Sequence, residues 1–174
     1  MGVQILSLTD FPSLLPVEED GRTFLENALQ KARAVARHTG RLTIADDSGL
    51  EVDYLQGKPG VCSARFAGEG ASDADNNRKL LQLLDGIPAS QRGAAFRCVI
   101  AIVDPTGKES WVEGACSGVI GDSEKGRQGF GYDPLFVIPA LGKTLAELPL
   151  EEKNRISHRG KALAALKAVL KDFL

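Results

Sequence analysis

From Thr23 to Gly40 apolar side chains recur at Phe24, Ala28, Leu29, Ala32, Val35 and Ala36, the three-and-four spacing of one helical face. Thr23 and Glu26 form a capping box at the start, and Gly40 supplies a left-handed stop, so a helix is predicted over 23–40. A second helical pattern, Ser72 to Leu84, opens on a Ser-x-x-Asp cap, carries Leu80, Leu81, Leu83 and Leu84, and ends before Gly86. A third starts at Ser157 as N-cap, with Ala162, Leu163, Leu166, Val169, Leu170 and Phe173 as its apolar face. Between these lie strand patterns. Leu42-Thr43-Ile44 is a short β-branched run, and from Gly49 to Leu55 the residues Leu50, Val52 and Tyr54 alternate with Glu51 and Asp53, the period of a half-exposed strand. Ala94 to Val103 and Glu109 to Ile120, joined by Asp104-Pro105-Thr106-Gly107, read as a long hairpin. Lys58-Pro59-Gly60 reads as a turn, and Gly126 to Asp133 as irregular chain.

The 174 residues, 43% of them hydrophobic, suffice for one domain with its own core. A formal net charge of -2 argues against a surface built to neutralise a nucleic-acid polymer. Three cysteines, Cys62, Cys98 and Cys116, form no Cys-x-x-Cys pair and are odd in number, so they read as reduced thiols, with Cys98 packed in the core. No apolar stretch approaches the ~20 residues that span a bilayer, and Val3 to Leu8 has no signal-peptide features. These features predict a cytoplasmic protein that engages no membrane.

Candidate chemistry concentrates in four places. Ala45-Asp46-Asp47-Ser48-Gly49 follows the short strand run, and the pattern predicts that Gly49 lets the chain reverse so that two adjacent carboxylates face one site. Such neighbours repel unless a cation relieves them, which points to Mg²⁺; an Asx turn capping the strand is the structural alternative. Val17-Glu18-Glu19-Asp20-Gly21 delivers further carboxylates to the N-terminus of the first helix, where the dipole favours them, with simple capping as the structural alternative. Gly129-Phe130-Gly131-Tyr132-Asp133-Pro134 combines glycines that admit a ligand, aromatic faces on which a purine stacks, and a carboxylate. Lys153-Asn154-Arg155-Ile156-Ser157-His158-Arg159 sets cations at the start of the last helix, where free N–H groups attract anions and carbonyl oxygens. His38 reads as compensation of a helix C-terminus.

In this order, Thr23-Phe24-x-Glu26-Asn27-Ala28, Ala45-Asp46-Asp47-Ser48-Gly49-Leu50, Pro59-Gly60-Val61-x-Ser63-Ala64-Arg65, Phe130-Gly131-Tyr132-Asp133-Pro134 and Glu152-Lys153-Asn154-x-Ile156-Ser157-His158-Arg159 resemble the Ham1/RdgB-like family of inosine triphosphate pyrophosphatases. The resemblance covers nearly the whole chain and implies a single domain over 1–174. The implied fold is mixed α/β, a long twisted central sheet with flanking helices and two lobes around a cleft, as a homodimer. The implied activity is Mg²⁺-dependent hydrolysis of ITP, dITP and XTP to the monophosphate and pyrophosphate. Matched residue by residue, Asp47 is the proton acceptor and a metal ligand, and Glu19 the second ligand with Glu18 as fallback. Ser48, Phe130, Gly131, Tyr132, Asp133, Lys153, His158 and Arg159 match substrate contacts. His158 and Arg159 are expected to read the 6-oxo group. The resemblance also implies an opening strand that runs into Ser/Thr-x-Asn-x-x-Lys and a helix. This sequence opens Met1-Gly2-Val3-Gln4-Ile5-Leu6, with no Asn-x-x-Lys before Glu18, so the expectation is an N-terminally truncated domain whose first residues form the next strand. A nucleotide-binding homologue without turnover, and a hydrolase of the same fold with a different substrate, stay open beside the leading reading.

Overall fold

A computed structural model describes residues 3–174. Its centre is a sheet of five strands in sequence order, β1 (Thr43–Val52), β2 (Gly93–Val103), β3 (Glu109–Ile120), β4 (Phe136–Ile138) and β5 (Lys143–Thr144), paired antiparallel throughout. Four helices flank it: α1 (Phe24–Thr39), α2 (Asp73–Leu83), α3 (Leu150–Ile156) and α4 (His158–Val169). The architecture is the expected mixed α/β arrangement.

β2 is buried on both faces, which is why it reads as a nearly unbroken apolar run. Val99, Ala101 and Val103 pack against Phe24, Ala28, Leu29, Ala32 and Ala36 of α1. The alternate residues Cys98, Ile100 and Ile102 pack against Ala162 and Leu166 of α4. α1 and α4 therefore sandwich one end of the sheet. At the other end Leu50, Val52, Phe96 and Ile120 join Leu80 and Leu84 of α2 and Leu135, Phe136, Leu145 and Leu148 in a second core, the body of the other lobe.

The local signals explain the helix ends. Thr23 and Glu26 close a capping box on α1, and Gly40 ends it at φ 63. Ser72 and Asp75 do the same for α2, and the Ser157 hydroxyl accepts the Gly160 N–H at the start of α4. α3 carries no strong periodicity by which its sequence would predict a helix; Pro149 and Ser157 bound it.

Several expectations are corrected. The acidic segment is not a turn: β1 runs without a break through Asp46, Asp47, Ser48 and Gly49. Gly49 serves close packing instead, because a Cβ there would lie 2.4 Å from the Gly60 carbonyl and 2.8 Å from Phe24. The alternation from Leu50 ends at Val52, after which Asp53–Leu55 is a 3-10 turn with Tyr54 exposed. Finally, Val3 to Leu6 is not a strand, and Met1 and Gly2 of that predicted element lie outside the described residues. Two predicted helical core positions, Leu83 and Leu163, are exposed.

Gly114 fixes how close α4 lies to the sheet. A Cβ at Gly114 would stand 2.1 Å from the His158 carbonyl oxygen and 2.5 Å from the Ala162 nitrogen, both backbone atoms that cannot rotate away. Gly114→Ala is expected to lower stability by about 1–3 kcal/mol through this overpacking, read as a reduced urea midpoint with an unchanged slope.

Candidate active site

Directly opposed residues of an antiparallel pair share a face, so the register fixes where the two aspartates point. Asp46 stands opposite Ile100 and Ser48 opposite Cys98, on the α4 side; Asp47 stands opposite Val99, on the α1 side. The adjacent carboxylates do not face one site, as the sequence pattern suggested. A period of two puts them on opposite faces.

On the α1 side Asp47 is half-buried. Its Oδ1 accepts from Lys31 Nζ at 3.1 Å and its Oδ2 from Asn27 Nδ2 at 3.1 Å. The same Lys31 ammonium donates to Glu19 Oε2 at 3.1 Å. Glu19 and Asp47 are thus brought to one cation, whereas Asp20 accepts from Gln30 and Glu18 is exposed. Burial raises the Asp47 pKa above the ordinary carboxylate range; the charge of Lys31 and the bond from Asn27 oppose that rise, and Glu19 adds to it. Asn27, itself buried, also accepts the Gly21 N–H at 2.8 Å, tying the loop that carries Glu19 to the strand that carries Asp47.

On the α4 side lies a cavity of about 580 Å³, within the ~300–1,000 Å³ usual for small-ligand sites. It collects Ser48, Phe130, Gly131, Tyr132, Asp133, Lys153, His158 and Arg159, every substrate contact expected from the sequence. Phe130 is 63% exposed at its rim, with Lys153 Nζ 5.1 Å and the Arg159 guanidinium 5.9 Å from its ring centre. Asp133 is buried, accepts from the Phe130 N–H at 3.0 Å and pairs with Lys153, so it holds both the aromatic loop and the cation. Gly131 sits at φ 60 and donates its N–H to Asp73 at 2.6 Å, a backbone state that favours glycine. The Tyr132 hydroxyl donates to the Ser63 carbonyl, and burial drives its pKa well above the usual value.

His158 is 8% exposed and stacks on Phe96 with ring centres 4.8 Å apart. Burial, with Arg159 and Lys153 nearby, lowers its pKa to about 4, so it is a neutral imidazole at pH 7. Its Nδ1 has no hydrogen-bond partner among the described residues. Outside the site, Cys98 is buried as expected, and His38 lies in the last turn of α1 with Nε2 3.1 Å from the Ser13 hydroxyl.

Comparison with known proteins decides the family. The Ham1 family profile matches residues 1–169. The chain belongs to the Ham1 family. It is 57% identical over 169 residues to the dITP/XTP pyrophosphatase of Desulforamulus reducens, covering 97% of this chain and 84% of that protein. With the dITP/XTP pyrophosphatase of Geobacter sulfurreducens it shares 59% identity over 163 residues, covering 94% and 82%. The solved Ham1 protein of Staphylococcus aureus superposes with a TM-score of 0.91 at 43% identity, over 98% of this chain and 88% of that one.

Within this Ham1 site, Asn27 stands in the first ordered motif without a role of its own, and Lys31 lies outside every motif. They are polar residues four apart on the helical face whose neighbours Phe24, Ala28 and Ala32 are buried, and a polar pair inside an apolar stripe is the signal that finds them. The depressed His158 pKa has a consequence for stability. The unfolded chain binds a proton at this residue below pH 6.5, whereas the folded chain does so only near pH 4. Stability is therefore present above pH 6.5 and lost as pH falls from there to about 4, by of order 3 kcal/mol in all. In His158→Gln this part of the acid destabilisation should vanish, so that urea midpoints measured from pH 7 to pH 4 fall less steeply than in the parent.

Proposed function

We propose that this chain hydrolyses deaminated purine nucleoside triphosphates, ITP, dITP and XTP, to the monophosphate and pyrophosphate with the help of Mg²⁺. Membership of the Ham1 family and the dITP/XTP pyrophosphatase activity named for relatives at 57–59% identity support the reaction class. The observation that carries it within the molecule is the pairing of two sites by consecutive residues: Asp47 at an acidic centre and Ser48 in a base-sized cavity.

The donor set fits Mg²⁺. Glu19 and Asp47 present hard carboxylate oxygens to one point, and the Lys31 ammonium between them shows that the pair accepts positive charge there. No group of three or more His, Cys, Asp or Glu side chains suited to a metal occurs among the described residues. Mg²⁺ commonly takes one or two carboxylates and fills its shell with water and substrate phosphates. When bound, the ion neutralises phosphate charge and lowers the pKa of coordinated water.

The chain's own residues supply the rest. Asp47, held by Asn27, takes the proton from the water that attacks the α-phosphorus; the α–β anhydride bond breaks and pyrophosphate leaves. Lys31 offsets charge on the phosphate chain from beside the same carboxylate. Phe130 provides a stacking face for the base. Arg159 is always a donor, so it rewards the 6-oxo acceptor of hypoxanthine and xanthine and meets the 6-amino group of adenine with no acceptor. Neutral His158 forms part of the wall beside it. The proposal includes a cytoplasmic location, in keeping with three unpaired cysteines, and the homodimer that the family resemblance implies.

Pyrophosphate release from ITP, XTP and ATP with Mg²⁺ tests the reading. ITP and XTP are expected to be preferred, and Asp47→Asn to lower the rate on ITP about 10²–10⁴-fold while the protein stays folded. Release from ATP equal to that from ITP, or full activity in the variant, contradicts it. Asn27→Ala should lower the same rate less severely, about tenfold, and raise the Mg²⁺ concentration needed for half-maximal activity, because Asp47 and the Glu19 loop lose their common tether.

A further inference from the structure

Asp46 has no part in the acidic centre, yet its carboxylate is more densely engaged than that of Asp47. A single oxygen, Oδ2, accepts from Arg159 Nε at 3.1 Å, from Arg159 Nη2 at 2.9 Å and from the Ser48 hydroxyl at 3.1 Å. Cys98 Sγ stands behind it at 3.9 Å. Ser48 Oγ in turn lies 3.4 Å from Arg159 Nη2. The three polar side chains form a closed triangle on the α4 face of β1.

We propose that Asp46 is a positioning residue that aims Arg159 at the base, and so sets the preference for 6-oxo purines. The inference rests on the proposed function. A guanidinium has five N–H donors in a rigid plane. Binding Nε and Nη2 to one carboxylate oxygen fixes that plane and leaves Nη1, which makes no hydrogen bond among the described residues, free to donate to a ligand in the cavity that Arg159 lines. Arg159 follows His158 at the first turn of α4, and the Gly114 contact holds that turn against the sheet, so the backbone end of the side chain is fixed as well. The Asp46 and Arg159 side chains are 39% and 41% exposed, so the pair is open enough to meet a ligand and too open to be a requirement of the core. The strand thereby divides the work of its two neighbouring aspartates, Asp47 toward phosphate chemistry and Asp46 toward base choice.

The test is the ratio of kcat/KM for ITP to that for ATP, with Mg²⁺, in the parent, Asp46→Ala, Arg159→Ala and the double variant. Arg159→Ala is expected to lower the ratio about tenfold or more, and Asp46→Ala to lower it by a similar factor, with the loss on ITP lying mainly in KM. Asp46→Ala made in the Arg159→Ala background should change the ratio less than about twofold, because a residue acting through another has no effect once the other is gone. Should the alanine variant not fold, the isosteric Asp46→Asn is read in the same way. A collapsed ratio in Arg159→Ala with an unchanged one in Asp46→Ala overturns this inference and leaves the proposed function standing. Equal losses on ITP and ATP in Asp46→Ala, or additive effects in the double variant, also overturn it as a purely structural role would. An unchanged ratio in Arg159→Ala overturns both the inference and the assignment of base reading to the start of α4.

Discussion

The antiparallel register between β1 and β2 is the constraint on which the rest of the site depends. Ten consecutive pairs, from Thr43 opposite Val103 to Val52 opposite Ala94, lock β1 against the most deeply buried strand of the sheet. A slip of one residue would exchange every side chain between faces. It would send Asp47 into the aromatic cavity and Ser48 to the acidic centre. Such a slip is opposed by the cores on both sides of β2, where α1 covers Val99, Ala101 and Val103 and α4 covers Cys98, Ile100 and Ile102. The hydrophobic sandwich that stabilises the sheet is thus also the device that assigns each polar residue of β1 to its half of the site.

Around that frame, the functional side chains are held by bonds to one another more than by burial alone. Asn27 ties the Glu19 loop to Asp47, Asp133 ties the Phe130 loop to Lys153, and Asp46 ties Arg159 to Ser48. Each tether joins segments far apart in sequence. Glycine supplies the clearances: Gly49 admits the Gly60 carbonyl and Phe24, Gly114 admits the first turn of α4, and Gly129 leaves room for Asp133 and Lys153. The recognition half carries an imidazole kept neutral by burial, with its cationic neighbours adding to the effect, and the acidic half carries carboxylates gathered on a lysine. The two halves therefore differ in electrostatic character although they are one residue apart along the strand.

Much of this was legible along the chain, and the reason is local. The capping boxes at Thr23 and Ser72, the cap at Ser157 and the long hairpin through Asp104-Pro105-Thr106-Gly107 are set by contacts within a few residues, and all four are present. The ordered motifs also marked the side chains that line the cavity, from Ser48 to Arg159. What misled was the segment Asp46 to Gly49. Adjacent carboxylates followed by glycine carry the composition of a turn, and only pairing with β2 and the approach of Gly60 and Phe24 make the same residues a strand.

The sequence by itself determined the bounds of α1 and α2, the start of α4, the hairpin, the family and the inventory of reactive groups, because these follow from short-range periodicity and from the identity of residues at fixed spacing. The tertiary structure decided which groups act together. Asp46 and Asp47 are neighbours in the chain and are parted by the sheet, whereas Asp46 and Arg159 are 113 positions apart and share hydrogen bonds. Glu19 rather than Glu18 meets Lys31, since only the folded loop and helix bring one of the two to the ammonium beside Asp47. Partnership across such distances depends on strand register and on the packing of α1 and α4 against opposite faces, and neither is encoded in any short stretch of residues.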